Sequence, residues 1–178
     1  MNSLLKIAHL CLATYAISGC SEEATPNIAA HLEEPFEIQE YKLGMNERAV
    51  LEHEKISCQN PPGKIDADRI CSASISVSGQ PALIYFYFYN DSLRKLSLSI
   101  LPRHGQLSEL SKIFFGTLES KYGKPSTDTN LAVTWSHKGE AIIINRGDER
   151  TMTVNLVSDK YENEKARRVK MASGKVEI

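Results

Sequence analysis

Residues 71–101 read CSASISVSGQPALIYFYFYNDSLRKLSLSIL, and the alternation in this stretch decides the fold. Three segments, Cys71–Val77, Ala82–Tyr89 and Leu93–Leu101, carry apolar or aromatic residues at a spacing of two, the period of a β-strand with one buried face. Ser78-Gly79-Gln80-Pro81 and Asn90-Asp91-Ser92 separate them with residues suited to hairpin turns. The expected unit is an antiparallel meander. If Ile84, Phe86 and Phe88 point inward, then Ile75 and Val77 on one neighbour and Leu96, Leu98 and Ile100 on the other form matching rows. The opposite face then carries Ser72, Ser74 and Ser76, next Leu83, Tyr85, Tyr87 and Tyr89, then Lys95, Ser97 and Ser99.

Tyrosine supplies large contact area with few rotors, and serine supplies adaptable hydrogen bonds, a combination found on protein-recognition surfaces. Tyr85, Tyr87 and Tyr89, flanked by Ser74, Ser76, Ser97 and Ser99, are therefore a candidate binding face. The same residue types also suit the solvent side of an ordinary antiparallel sheet.

Downstream, Leu107, Leu110, Phe114, Leu118 and Tyr122 recur at spacings of three and four, which predicts a helix over Gln106–Tyr122, closed by Gly123 and Pro125. Three further strand patterns follow, Leu131–His137, Glu140–Arg146 and Thr151–Val157, with turns at Lys138-Gly139 and Gly147-Asp148-Glu149. Thr134, Ser136, Thr153 and Asn155 extend the polar face, while Trp135, in row with Leu131 and Val133, reads as core. Upstream, Phe36–Leu43 alternates as one strand ended by Gly44, and Asn46 offers an N-cap to a short helix over Glu47–Glu54. The order is a strand, then helix and three strands twice. Such an order predicts an α+β domain, an antiparallel sheet with two helices packed on one face.

The chain has 178 residues, with 21 Lys and Arg against 22 Asp and Glu, so it lacks the basic excess of a nucleic-acid protein. Its hydrophobic content of 42% is enough for one core. Residues 36–158 form the expected domain, preceded by a Ser/Glu/Ala/Pro/Asn-containing tether and followed by a charged tail over 159–178 that either continues as a solvated helix or frays and holds Lys165, Arg167, Arg168 and Lys170. The basic cluster reads first as part of a solvated tail, with electrostatic contact to anionic headgroups or wall polymers as the alternative.

Residues 1–20, MNSLLKIAHLCLATYAISGC, place Lys6 before an apolar run too short to span a bilayer, the anatomy of an export signal. Its end, Ile17-Ser18-Gly19-Cys20, resembles the lipobox of bacterial lipoproteins. The resemblance implies a signal peptide over 1–19, acylation (diacylglyceryl and palmitate-type chains) of Cys20, and a tether over 20–35. Ser21 stands where that family carries Asp for inner-membrane retention, which implies the outer membrane, facing the periplasm. Acyl chains would then be the contact with the bilayer, since two or more hold a protein stably.

Of four cysteines, Cys11 leaves with the signal and Cys20 takes the lipid, so Cys58 and Cys71 remain for a disulfide in an oxidising compartment. The loop between them holds Asn60-Pro61-Pro62-Gly63, and its closure is worth ~3 kcal/mol by chain entropy. No nucleophile elbow, zinc-protease motif or phosphate loop occurs, and His31, His53, His104 and His137 are scattered. Asp66-Ala-Asp68 reads as turn chemistry. Neither a cofactor nor a metal is expected.

Gly44-Met45, the pair Cys58 and Cys71, and Lys121-Tyr122-Gly123-Lys124-Pro125 give the mature part a resemblance to small uncharacterised bacterial envelope lipoproteins, over about two thirds of the chain. The resemblance implies no activity. The functional expectation is a non-enzymatic, membrane-anchored module that binds an envelope protein, in assembly support or as an immunity-type inhibitor. The alternative is a small-ligand carrier or enzyme of the periplasm, with scattered residues such as His104, His137 and Asp148 forming its site.

Overall fold

The structure is a computed structural model that describes residues 36–52, 55–102, 106–145 and 150–174. In chain order the elements are β1 (Glu37–Ile38), β2 (Tyr41–Lys42), α1 (Glu47–Leu51), β3 (Ser57–Gln59), a 3-10 turn (Pro62–Lys64), β4 (Arg69–Val77), β5 (Gln80–Tyr89) and β6 (Ser92–Ile100). There follow α2 (Leu107–Tyr122), β7 (Thr127–Asp128), β8 (Ala132–His137), β9 (Glu140–Asn145), β10 (Met152–Ser158) and α3 (Asp159–Ala172). The fold is α+β.

Eight strands form one sheet in the order β3-β4-β5-β6-β10-β9-β8-β7, and every pairing in it is antiparallel. Each half is a four-strand meander introduced by a helix, and the halves meet where β6 pairs with β10. The expected unit of helix and three strands therefore gains one short edge strand in each half, β3 and β7. With only two or three residues each, these edges have no alternation to detect.

The turns follow the local chemistry. Ser78–Gly79, Asn90–Asp91 and Lys138–Gly139 all have positive φ at both positions, the geometry that lets a two-residue hairpin follow the strand twist. Phe36–Leu43, expected as one strand, is instead the tight hairpin β1–β2, with Gln39 and Glu40 at φ 49° and 73°. Its apolar phase slips at these two adjacent polar residues, so Phe36, Ile38 and Tyr41 can all be buried against the main sheet. Asn46 caps α1 as expected, its Oδ1 accepting from the Ala49 N–H at 2.8 Å.

One sheet face holds the main core. Ile84, Phe86, Phe88, Leu96, Leu98 and Ile100 lie on it with Ile142, Ile144, Val154 and Leu156, covered by the hairpin, Val50 of α1 and Leu110 and Tyr122 of α2. Trp135 joins this core and donates from Nε1 to the Gly123 carbonyl at 2.9 Å. Leu131 does not: it precedes β8 and is 78% exposed.

At the sheet edge Cys58 and Cys71 stand opposite each other on β3 and β4 and form the disulfide, with Cα atoms 4.0 Å apart. The charged segment takes the helical one of its two expected forms, but the helix is docked on the sheet and not solvated all round. Residues 159–172 form a helix, so a third helix packs on the face opposite the other two. Ser158 starts it by accepting the Tyr161 N–H at 3.1 Å, and Asp159 and Glu162 occupy its first turn.

Candidate functional site

The second face is built in rows by the strand register. The row nearest α3 runs Ile70, Tyr87, Lys95, Val157, Ala141 and Ser136. The next row crosses all eight strands as Ser57, Ser72, Tyr85, Ser97, Asn155, Ile143, Thr134 and Thr127. A third, towards the other end of the strands, holds Ser74, Leu83, Ser99 and Thr153.

Helix α3 occupies the first of these rows. Tyr161, 1% exposed, is its one buried side chain and clusters with Ala67, Tyr89 and Val157, against which Tyr87, Ile70 and Ala141 pack. The Tyr161 ring meets Tyr87 at 6.1 Å and Tyr89 at 5.7 Å between centroids. Lys95 Nζ sits between two rings, 5.0 Å from the Tyr87 centroid and 5.2 Å from that of Tyr161. Burial pushes the Lys95 ammonium below its ordinary value and the phenols of Tyr87 and Tyr161 above theirs.

An exposure expectation is corrected here. Tyr89, placed with Tyr85 and Tyr87 on an open face, is 3% exposed. It stays on the same face as Tyr87, but Tyr161 of α3 packs on its ring and the Tyr89 hydroxyl donates to the Ile65 carbonyl at 2.5 Å. Its phenol is pushed up to about 12, chiefly by burial. The Arg168 guanidinium covers the ring at 4.3 Å.

The loop before β4 anchors the same helix. Asp66 pairs with Lys165 at 2.7 Å and Asp68 Oδ1 with Arg168 at 2.9 Å, while Asp68 Oδ2 accepts the Asn90 N–H at 2.9 Å. Asp66 and Asp68 thus clamp α3 as well as shaping a turn. Burial raises the Asp68 carboxyl, but the hydrogen bonds from Arg168 and Asn90 outweigh it and leave the group below its ordinary value. Hydrogen bonds from Arg167 and Arg168 hold Glu164 at about 2. Three cations of the basic cluster, Lys165, Arg167 and Arg168, are accordingly paired within the chain.

The other two rows lie outside these packing clusters for Tyr85 and Leu83, both of which are half-buried. Ser97, Ser99, Thr153 and Asn155 around them are half-buried as well, and Ser74 and Ser76 are exposed. Of the candidate face, then, Tyr85 and the serines stay open, and Tyr87 and Tyr89 serve to dock α3. Sequence reading missed Tyr161 because a helix with one apolar contact leaves no periodic stripe. Its start was legible in the Ser158 cap and the acidic first turn.

Cys20, His31, His53, His104 and Asp148 lie outside the described residues. His137 faces Glu140 across the β8–β9 turn, and its Nε2 is buried without a hydrogen-bond partner. Burial raises the Glu140 carboxyl, which accepts the Phe36 N–H at 3.2 Å. Among the described residues one trio of potential metal donors lies close, Glu47, Cys58 and Cys71. Its sulfurs are joined to each other, and Glu47 pairs with Arg69 at 3.0 Å. No described helix is long and apolar enough to cross a membrane. Comparison of the chain with protein-family models, with curated proteins and with solved structures finds no match in any of the three.

Proposed function

We propose that the protein is an exported, lipid-anchored module of the bacterial cell envelope that binds another envelope protein and performs no chemistry on it. The observation that carries the binding part is the open pair of rows on the second face. Apart from Leu83 and Ile143, the latter packed towards the helix, they present hydroxyl and amide groups around Tyr85, beside a helix that covers the neighbouring row. A rigid aromatic ring among short hydrogen-bonding side chains offers contact area at low entropic cost. The sheet beneath is fixed by a packed core, so the strip is preorganised, which lowers the cost of association. The anchoring part rests on the signal anatomy of residues 1–20 and on Cys20, with residues 20–35 as the tether. In this reading the domain faces the periplasm from the outer membrane and serves assembly or inhibition of an incoming effector.

The test has two arms. Palmitate labelling of cells is expected to mark the parent and not Cys20→Ser, and equal labelling of both would remove the anchor. A photo-crosslinking amino acid at position 85 is expected to give one discrete adduct in envelopes, absent when the same group sits at Glu109 on the exposed side of α2. Identical adducts from both positions, or none from position 85, would remove the face.

A further inference from the structure

The two edges of the sheet differ in how their backbone groups are used. At one edge β8 runs past its two-residue neighbour β7, yet each of its outward positions has a partner. The Thr129 N–H donates to the Ala132 carbonyl at 3.0 Å, and the Thr129 hydroxyl accepts the Ala132 N–H at 3.1 Å. The Thr134 carbonyl accepts the Ser126 N–H at 2.8 Å, and the Ser136 N–H donates to Ser126 Oγ at 3.0 Å. At the other edge β3 covers β4 only over Ile70–Ser72 and leaves Ala73–Val77 as the outermost backbone among the described residues.

Two independent features fix which groups that stretch directs outward. Val77 and Gln80 flank the two-residue turn Ser78–Gly79, and residues flanking such a turn bond to each other, so Val77, Ile75 and Ala73 aim their N–H and C=O at β5. At the covered end Cys58 and Cys71 have Cα atoms 4.0 Å apart, the short spacing of a pair without mutual hydrogen bonds, which leaves Ile70 and Ser72 to bond with β3. Both place the backbone N–H and C=O of Ser74 and Ser76 on the open side, where no described residue bonds to them. Proteins ordinarily guard an edge of this kind with charge, proline or a bulge. Ala73-Ser74-Ile75-Ser76-Val77 contains no charge and no proline, and its pairing with β5 runs without a register break.

We propose that this edge pairs with the same edge of a second copy of the chain, joining the two sheets antiparallel about Ile75. The stretch is symmetric in pattern. With Ile75 opposite Ile75 of the second copy, Ser74 meets Ser76 and Ala73 meets Val77. Each pair of Ser74 with Ser76 then exchanges both backbone hydrogen bonds, while the serine side chains stay on the second face and the apolar ones on the core face. Ile75, half-buried at the margin of the core, gains cover from its counterpart. Because the stretch is uncharged, two copies meet without like-charge repulsion. A surface that pairs with itself about a twofold axis closes as a dimer and leaves no open edge there for a third chain. The assignment stands on the edge alone and depends neither on the rows through Tyr85 nor on acylation.

The experiment uses the full chain with Cys11→Ser and Cys20→Ser, so that neither an acyl chain nor a stray thiol links two copies. Sedimentation equilibrium over a concentration series is expected to show a reversible monomer–dimer transition, with the Ser74 and Ser76 amides gaining protection from hydrogen exchange as the dimer forms. Ser76→Pro removes an outward N–H and no bond to β5, and should weaken the dimer about tenfold or more with an unchanged unfolding transition. Should it fail to fold, Ser74→Lys with Ser76→Lys sets lysines opposite each other across the seam and serves in its place. Tyr85→Ser should associate as the parent does. A parent that stays monomeric throughout would overturn the proposal, and Ser74 and Ser76 amides protected in that monomer would assign the edge to a segment of the same chain outside the described residues. A dimer kept at full strength by a folded edge variant, or lost in Tyr85→Ser, would place the interface elsewhere and overturn it too.

Discussion

Phe86 and Tyr85 are neighbours in β5, yet Phe86 is 0% exposed in the main core while Tyr85 is half-buried and belongs to no packing cluster. The same alternation divides the whole sheet. On the Phe86 face the hairpin, α1 and α2 are held by apolar contact, which grows with area and needs no special geometry. On the Tyr85 face α3 is held by one buried tyrosine, stacked cations and paired carboxylates. Contacts of that kind are individually weak and depend on charge state. The core face therefore sets the stability of the domain, and the second face can expose or cover residues at little cost to it.

The largest effect expected from this contrast is at Phe86. Phe86→Ala leaves a cavity beneath Tyr41, whose ring lies 4.7 Å away, and should cost about 3–5 kcal/mol. Tyr85→Ala should cost no more than about 0.5 kcal/mol, as surface changes usually do. Denaturant midpoints measure both. Equal losses would mean that the second face contributes to the core and that the division between faces fails.

The disulfide comes next. Replacing Cys58 and Cys71 together by Ala should cost about 3 kcal/mol, since the bridge closes a loop in the unfolded chain. Urea titration of the parent and the double variant gives the number. Cys71 is fully buried on the core side, so part of any excess over this value belongs to packing. A loss near zero would show that β3 is held by its pairing with β4 alone.

These elements were also the ones legible in the sequence. The meander, the rows at Ile84, Phe86 and Phe88, the helix ending at Gly123 and the pair Cys58 and Cys71 all follow from period, turn chemistry and count. What escaped has a shared cause. The β1–β2 turn is Gln39–Glu40, without the Gly or Asn that marks most such turns, and β3 and β7 are too short to show a period. Helix α3 docks through its own Tyr161 and Arg168 onto Lys95 of β6 and Asp68 of the loop before β4, three separate segments. No local window contains them together. Tyr89 keeps the side of the sheet that Tyr85 and Tyr87 share, and its burial comes from α3 and the loop before β4, which strand alternation does not reveal. The open row through Tyr85, by contrast, was readable, because the strand there is regular on both sides.

The smallest expected effect is also the one that tests the second face most directly. Glu164, held at about 2 by Arg167 and Arg168, and Asp68, held below its ordinary value with Arg168 bound to it, are both depressed carboxylates. A depressed carboxylate contributes stability above its unfolded pKa, near 4, and the contribution is lost as pH falls through the folded value. Protonation of the pair therefore leaves Arg168 without its acidic partners while Tyr161 remains packed on Tyr87 and Tyr89. Both are partly exposed pairs, so the effect on global stability should stay within about 1 kcal/mol. Hydrogen exchange read by mass spectrometry should show α3 losing protection between about pH 4 and pH 2, with β5 and β6 amides unchanged after correction for intrinsic rates. High salt at neutral pH should move α3 the same way and less far, because screening weakens exposed pairs and leaves the Tyr161 contact intact. Protection lost in step across α3 and the sheet would mean that the helix belongs to the core unit. Protection of α3 unchanged at pH 2 would place its docking energy in the aromatic cluster alone, and the clamp from Asp66 and Asp68 would then set only where the helix lies.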